Sequence, residues 1–110
     1  MAAFIKGDIV VVPFPFSDLS NAKRRPALVV ATMSGNDVVL CQVTSQSLND
    51  EWAIPFENSD IEGGSLNKLS NVRPNRLFTC DSGIILYKVG RLSSLKIDKV
   101  TNKLVALLTQ

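Results

Sequence analysis

The densest cluster of positive charge in the sequence lies directly before an apolar segment. Lys23, Arg24 and Arg25 precede Pro26, and the apolar run 27–31 follows. A residue before proline is restricted to extended backbone conformations, so Arg25 is held in a defined direction. Its planar guanidinium presents donors that match a phosphate group. The spacing therefore allows two interpretations: a phosphate-binding arginine, or a solvated charge that marks the start of a strand.

A second polar group lies at the end of another predicted strand. Thr44, Ser45 and Gln46 follow an apolar run, and their hydroxyl and amide groups could donate to a phosphate or hold the edge of a base. The same residues are equally compatible with an ordinary polar strand end. Arg73 and Arg76 repeat the pattern of arginine near proline and provide a weaker second cationic point. A curved sheet could bring the two cationic clusters together.

The composition argues against several kinds of active site. The chain contains no histidine, which removes the commonest general base and the commonest metal ligand. Cys41 and Cys80 are isolated in the sequence, so we expect buried reduced thiols and no zinc site. The carboxylates lack the spacing of a metal cage, and no glycine-rich phosphate loop is present. We therefore predict that any catalysis uses no metal ion and no other cofactor.

Length and hydropathy predict one soluble domain that spans residues 1–110. The hydrophobic fraction of 45% is sufficient for a core without disulfides or metal. The net charge of +2 is too small to indicate a nucleic-acid-binding protein, so such a function would depend on local clusters. No segment has the pattern of a signal peptide or the length of a membrane span, so we expect a cytoplasmic protein with no membrane partner.

The elements that must position these residues are predicted to be mainly strands. Apolar and β-branched runs predict strands over 8–12, 27–31, 38–46, 52–56, 69–77 and 84–92. The segment 13–15, which begins with Pro13, is expected to end the first, and alternation places Gln42, Thr44 and Gln46 on the polar face of the third. A three-to-four-residue apolar period predicts a C-terminal helix capped by Ser93 or Ser94. Five to seven short strands with one helix indicate a small, strongly curved barrel or half-barrel.

Several segments, in order along nearly the whole chain, match the motifs of one known family. They are Lys6–Asp18, Arg25–Val30, Val43–Gln46, Ser70–Phe78 and Val89–Leu92. These segments resemble the PemK/MazF family of toxins from type II toxin–antitoxin systems. The resemblance implies a mainly β fold, a small SH3-like β-barrel with a C-terminal α-helix, that works as a homodimer. It also implies a cognate antitoxin as partner, a small acidic protein that covers the RNA groove, and contact with DNA only through that antitoxin.

The activity implied by the resemblance is sequence-specific cleavage of single-stranded RNA, chiefly mRNA, without a metal ion. Arg25 and Thr44 stand at the positions of the family's catalytic pair. With neither metal nor histidine, the accessible route is attack by the RNA 2′-hydroxyl on the neighbouring phosphorus, which leaves a 2′,3′-cyclic phosphate and a 5′-hydroxyl. Arg25 would hold the phosphate, and Thr44 would donate a hydrogen bond to the same group.

Further polar residues near these positions are predicted to bind RNA. They are Lys23, Arg24, Ser45, Gln46 and Arg73. Two positions depart from the family's pattern. Many relatives have Gly-x-Glu in the first loop, where this chain has residues 16–21, and some have an acidic residue near the position of Asn75. Whether Asp18 or Asn75 has a catalytic or recognition role therefore stays open.

Two other classes of protein remain as alternatives. A gyrase-targeting toxin of the CcdB kind shares the fold, but its activity depends on residues near the end of the C-terminal helix, which the ending 107–110 does not suggest. A non-catalytic SH3-like interaction module would normally present an aromatic groove, and this chain contains one Trp and one Tyr.

Overall fold

The computed structural model describes residues 4–14, 23–46, 49–66 and 68–110. The strands and the helix of these ranges are β1 Asp8–Phe14, β2 Lys23–Thr32, β3 Asp37–Thr44, β4 Ile54–Phe56, β5 Ile61–Glu62, β6 Ser70–Asp81, β7 Tyr87–Leu92 and α1 Ser94–Thr109. The strands form one antiparallel sheet in the order β4-β6-β3-β2-β1-β7-β5, which curls into a half-barrel. The predicted mainly β, curved fold with a C-terminal helix is confirmed.

Irregularities in three strand pairs accompany the curl of the sheet. The register shifts on β1 after Ile9, on β2 after Val29 and on β3 after Cys41. The last shift is the largest, because it leaves residues 74–76 of β6 without partners on β3. Extra residues in one strand bend it and increase the local twist. Pro74 therefore lies in a bulge within one long strand.

The curled sheet has an apolar cluster on each face. Side chains alternate along a strand, so Ile9 belongs to a cluster on the face next to α1 and Val10 to a cluster on the other face. The helix closes the first cluster with Val100, which is 1% exposed. Phe4 and Ile85 pack against the second cluster. Both faces of the central strands are therefore buried, which fixes the pairing register because a one-residue slip would invert every side chain.

The prediction that the first strand ends before Pro13 is wrong, because β1 continues to Phe14. The pairing of β1 with β7 stops at Val11, whereas its pairing with β2 continues through Pro13. A proline lacks an N–H, and it is tolerated where a strand has a neighbour on only one side.

The cationic cluster also lies differently from its predicted position before a strand. β2 begins at Lys23, so Lys23, Arg24 and Arg25 are part of the strand and pair with the end of β1. Pro26 lies one residue beyond the last pair with β3, so it interrupts no bond on that side. Long-range pairing, which the local composition does not reveal, extends the strand through the charged residues.

Other predicted boundaries shift for local reasons. The predicted strands 38–46, 52–56 and 84–92 shorten to β3, β4 and β7, the strand 69–77 lengthens to β6, and β5 lies in a predicted loop. Before β4, the Trp52 N–H donates to Asp50 Oδ1 at 3.0 Å and forms a turn. Before β7, the Gly83 N–H donates to Asp81 Oδ1 at 2.7 Å and forms another. Polar side chains that bond to their own backbone compete with strand pairing at both places.

The predicted C-terminal helix is confirmed, and Ser93 is its N-cap. The Ser93 hydroxyl oxygen accepts a hydrogen bond from the Lys96 N–H at 3.4 Å. Gly7, which has a φ of 100°, allows this helix to lie against the start of β1. A Cβ at this position would collide with the side chain of Ile97. Within the described ranges, no helix has the length and apolar character needed to cross a membrane.

Candidate active site

The strand register brings polar residues from three strands to one face of the sheet. Ala27 on β2 lies opposite Gln42 on β3, and this is the last pair of the two strands. If the same register is continued by two residues along each strand, Arg25 lies opposite Thr44. On the other side of β3, Thr44 lies opposite Asn71 of β6. Residues opposite each other in an antiparallel pair project from the same face. Arg25, Thr44 and Asn71 therefore share one face.

Arg73 extends this group, because it lies opposite Gln42 on the same face. We call Arg25, Gln42, Thr44, Asn71 and Arg73 the candidate patch. It continues the second apolar cluster towards the end of β3, where buried side chains give way to half-buried and exposed ones. Gln42 and Thr44 share a face of β3 as predicted, but Gln46 lies beyond the strand and Val38 and Leu40 on the same face are buried, so only the end of this face is polar. The patch combines two arginines, a hydroxyl and two amides next to the core.

The hydroxyl of Thr44 is oriented by the backbone that follows β3. Its oxygen accepts a hydrogen bond from the Gln46 N–H at 3.2 Å. Asn71 Nδ2 in turn donates to the Gln46 carbonyl oxygen at 3.1 Å. Within the described ranges, the Thr44 hydroxyl hydrogen has no acceptor. Thr44 is therefore oriented as an acceptor towards the protein and can donate to a ligand on the sheet face.

Arg73 is held at the patch by a carboxylate that the sequence analysis did not single out. Its Nη2 lies 3.5 Å from Asp50 Oδ2, and the two side chains are 20% and 16% exposed. Asn75 Nδ2 donates to the same oxygen at 3.2 Å. Arg73 Nε is buried without a hydrogen-bond partner among the described residues. One end of the guanidinium is thus fixed by Asp50, and an N–H on its other side is not engaged.

The hydrogen bonds to Asp50 favour its ionised form. The Trp52 backbone N–H is the main cause of the lowered pKa of Asp50. Partial burial opposes it, and Asn75 and Arg73 lower the pKa by smaller amounts. No sequence motif indicates this role, because Asp50 and Arg73 are distant in the chain and meet through the pairing of β4 with β6. Asn75, which lies in the β6 bulge, is placed to hold Asp50.

The structure does not bring every predicted residue into the patch. Alternation along β2 places Lys23 on the face of Arg25 and Arg24 on the opposite face. Arg24 lines a separate pocket of about 430 Å³ together with Tyr87 and Lys88. The three adjacent cations are therefore divided between two surfaces.

The other predicted positions lie beside the patch or outside the described residues. Ser45 and Gln46 are exposed just beyond the end of β3. Ser45 lines a neighbouring pocket of about 620 Å³ that also contains Asn71. Asp18 and the rest of the first loop lie outside the described residues.

The two thiols lie in the cores and not at the patch. Cys41 and Cys80 are both buried and free, as predicted. Burial raises the pKa of Cys41 to about 12, and burial is also the main cause of the raised pKa of Cys80. A thiol in such a site is not a nucleophile at neutral pH. In the part of the chain that the structure describes, no group of three or more His, Cys, Asp or Glu side chains could hold a metal ion.

Comparison with known proteins identifies the family and the fold of this chain. A family model described as PemK-like, MazF-like toxin of type II toxin-antitoxin system matches residues 5–108. No curated protein sequence gives a significant match. Among solved structures, a MazE–MazF structure from Deinococcus radiodurans has a TM-score of 0.77 at 20% identity and covers 96% of this chain and 95% of that chain.

Two mycobacterial structures show the same fold. An endoribonuclease in complex with its cognate antitoxin, from a mycobacterial species, has a TM-score of 0.73 at 15% identity, with 96% of this chain and 95% of that chain covered. The Mycobacterium tuberculosis toxin MazF-mt6 has a TM-score of 0.72 at 14% identity, with 92% and 95% covered. At these identities the likeness establishes the fold.

Proposed function

Because this chain belongs to the family of PemK-like, MazF-like toxins of type II toxin–antitoxin systems, we propose that it is an endoribonuclease that cleaves single-stranded RNA without a metal ion. The observation that supports the proposal best is the register that aligns Arg25 with Thr44 on one face, next to Arg73. Two guanidinium groups and a hydroxyl match the oxygens of a phosphodiester. The solved relatives named as endoribonucleases support the same reaction class.

The proposed reaction uses the RNA's own 2′-hydroxyl as nucleophile. Its oxygen forms a bond to the adjacent phosphorus while the bond from phosphorus to the 5′-oxygen breaks, and the proton lost from the 2′-hydroxyl is balanced by one gained on the 5′-oxygen. The products are a 2′,3′-cyclic phosphate and a 5′-hydroxyl. DNA lacks the nucleophile and is not cleaved. Charge grows on the phosphoryl oxygens, and groups held in place beforehand stabilise it best.

Each charged or hydroxyl-bearing residue of the candidate patch has a separate proposed role. Arg25 neutralises charge on the phosphoryl oxygens, and the Thr44 hydroxyl donates to one of them. Arg73, held by Asp50, contributes a second positive charge. The arginines act as charge stabilisers, because a guanidinium keeps its proton at neutral pH. Lys23 holds the RNA backbone on the same face.

The proposed partners follow from the family. A cognate antitoxin would cover the patch, as the solved complexes of related toxins with antitoxins suggest. The active form would be a homodimer of one toxin domain per chain, and exposed apolar side chains such as Tyr87, Leu95 and Leu108 could contribute to its contacts. Light scattering after size-exclusion chromatography would measure the mass of the free protein and of its complex.

The proposal is tested with purified protein and a defined single-stranded RNA in excess EDTA, with a DNA of the same sequence as control. The wild type should produce cyclic-phosphate ends from RNA only. Arg25→Ala and Thr44→Val should each lower kcat by about 10²–10³-fold, because each removes a group that stabilises the transition state. Arg24→Ala removes the same charge from the adjacent residue on the opposite face and should change KM only.

Three results would contradict the proposal. Full activity of Arg25→Ala would remove that residue from catalysis. A strict requirement for Mg²⁺ would exclude the mechanism. Equal losses of kcat in Arg24→Ala and Arg25→Ala would show that the strand register does not decide which arginine takes part in catalysis.

A further inference from the structure

A groove lined with lysines runs between β4 and α1, away from the candidate patch. Its volume is about 400 Å³. Ala53, Ile54 and Pro55 line it on the side of β4, and Lys96, Lys99 and Lys103 line it on the side of the helix. No carboxylate is among the described residues that line it, so every charge they contribute to the groove is positive. We call this feature the lysine groove.

Two of the lysines are held in place by main-chain oxygens. Lys96 Nζ donates to the Pro55 carbonyl oxygen at 2.8 Å, and Lys103 Nζ donates to that of Glu51 at 3.0 Å. Lys103 also lies over the Trp52 ring, 5.3 Å from its centroid. These contacts order the ammonium groups but do not neutralise them, and each ammonium group has further N–H donors.

Lys99 completes the row without any such contact. Within the described ranges, no hydrogen bond or ion pair involves its side chain. Lys96, Lys99 and Lys103 are three and four residues apart, which places them along one side of a helix. At about 1.5 Å per residue they extend over about 10 Å. A row of this kind is suited to an extended polyanion and much less to a single small anion.

The lysine groove adjoins the pocket beside the candidate patch. Both are lined by Pro55 and Lys96, and the neighbouring pocket of about 620 Å³ reaches Ser45 and Asn71. Asn71 lies opposite Thr44 in the sheet. A chain bound at Thr44 can therefore continue past Asn71 and Lys96 into the lysine groove.

The pocket that joins the two sites has one acidic wall. Glu57 and Asp60 line it together with Lys96. Phosphates in this stretch would be repelled by the carboxylates and attracted to Lys96, whereas carboxylates can accept hydrogen bonds from the amino groups of bases. An RNA strand would thus pass with its backbone towards α1 and its bases towards Glu57 and Asp60.

We propose that the lysine groove binds the phosphate backbone of the RNA segment that flanks the cleaved bond. This inference rests on the proposed ribonuclease function, since a polymeric substrate continues beyond the bond that is cut. Lysine contacts the phosphate backbone as a point charge and reads no sequence, so the groove adds affinity for longer RNA and leaves the cleavage site unchanged.

The test compares two labelled single-stranded RNAs that share a cleavage site, one just long enough for the candidate patch and one extended by about ten nucleotides on each side. Lys99→Ala is the informative variant, because Lys99 makes no structural bond. It should weaken binding of the longer RNA about three- to tenfold and change that of the shorter RNA less than about twofold. The salt slope of log Kd for the longer RNA should fall by about 0.7.

Lys6→Ala serves as the matched control, since it removes the same charge from an exposed residue outside the groove. Equal effects of Lys6→Ala and Lys99→Ala on the longer RNA would overturn the inference, and so would equal effects of Lys99→Ala on both RNAs. If poly-glutamate bound in a Lys99-dependent way while the longer RNA did not, the groove would accept an acidic protein and the inference would again be wrong.

Failure of the two proposals is distinguishable. If the wild type cleaves neither RNA, the proposed function fails and this inference fails with it. If the wild type cleaves both RNAs and Lys99→Ala binds and cleaves the longer one as the wild type does, only the inference fails.

Discussion

Two clusters of a carboxylate with cations lie in different parts of the sheet and are built differently. Asp8, at the start of β1, is 1% exposed, and its Oδ1 lies 3.4 Å from Lys88 Nζ and 3.7 Å from Arg91 Nη1. Its Oδ2 accepts a hydrogen bond from the Ile5 N–H at 2.9 Å. The cluster ties the N-terminal segment to β7.

The second cluster joins Asp50 to Arg73 and Asn75. Here the aspartate and arginine side chains are 16% and 20% exposed, and Asp50 is bonded to the Trp52 N–H. The cluster lies next to the candidate patch and leaves Arg73 Nε without a partner among the described residues. Both clusters contain an aspartate and an arginine, and they differ in the surroundings of the arginine.

The difference separates an ion pair that holds the fold from one that positions a proposed ligand-binding group. In the first cluster, the buried member is the anion, its cations are 48% and 37% exposed, and Arg91 Nη1 also donates to the Lys6 carbonyl oxygen. In the second cluster, the anion fixes a cation whose free donor is buried at a proposed phosphate site. A carboxylate next to an arginine is therefore not evidence of function until the environment of the arginine is known.

Among the substitutions that test this difference, Asp50→Ala is expected to have the largest effect. Without the carboxylate, Arg73 loses its anchor, and kcat should fall about ten- to hundredfold because a misplaced charge stabilises the transition state poorly. The urea midpoint should change little. Asp50→Asn should recover part of kcat, since the amide oxygen can still accept from Arg73. Steady-state kinetics and urea denaturation would measure both effects.

A different pattern would contradict the positioning role of Asp50. A lowered urea midpoint with unchanged kcat per folded molecule would make Asp50 a structural residue like Asp8. A rise in KM alone, with kcat unchanged, would assign Arg73 to RNA binding instead of the chemical step.

The opposite pattern is expected for Asp8→Ala. The substitution leaves the Ile5 N–H without its acceptor and two cations without their anion, and the free energy of unfolding should fall by about 1–3 kcal/mol. Cleavage per folded molecule should remain that of the wild type. Urea denaturation followed by circular dichroism, with activity measured in the native baseline, checks both. A large loss of kcat in the folded variant would mean that the two clusters are not separate in function.

The smallest effect is expected in the pH dependence of stability. The pKa of Asp50 is lowered from 3.8, mainly by the Trp52 N–H, so its ionised form is favoured in the native state. The contribution of Asp50 is therefore complete above about pH 5 and is lost as the pH falls through the lowered pKa. Urea denaturation of the wild type and Asp50→Asn should differ by a constant amount from pH 5 to 7 and converge below pH 4. Divergence on acidification would contradict this.

Local patterns were sufficient to predict the helix and every strand except β5, but not all of the site. The apolar runs of the central strands and the helix that follows Ser93 are encoded in consecutive residues, and their types were predicted correctly. The start of β2 at Lys23 and the passage of β1 through Pro13 were missed, because pairing between distant segments decides both. Asp50 was missed for the same reason, since its contact with Arg73 depends on β4 lying next to β6.

The alternation along β2 determines which of two neighbouring arginines lies at the proposed catalytic position. Arg24 and Arg25 are chemically identical neighbours, and the shift of a single position in the sheet would exchange their surroundings. The identity of the acting residue is thus encoded in the apolar side chains of Ala27 to Val29, which permit only one alignment, and not in the arginines themselves. If these core contacts were weakened, β2 could pair one residue out of register and place Arg24 instead of Arg25 at the candidate patch. The packing of the core therefore determines which arginine lies at the candidate patch.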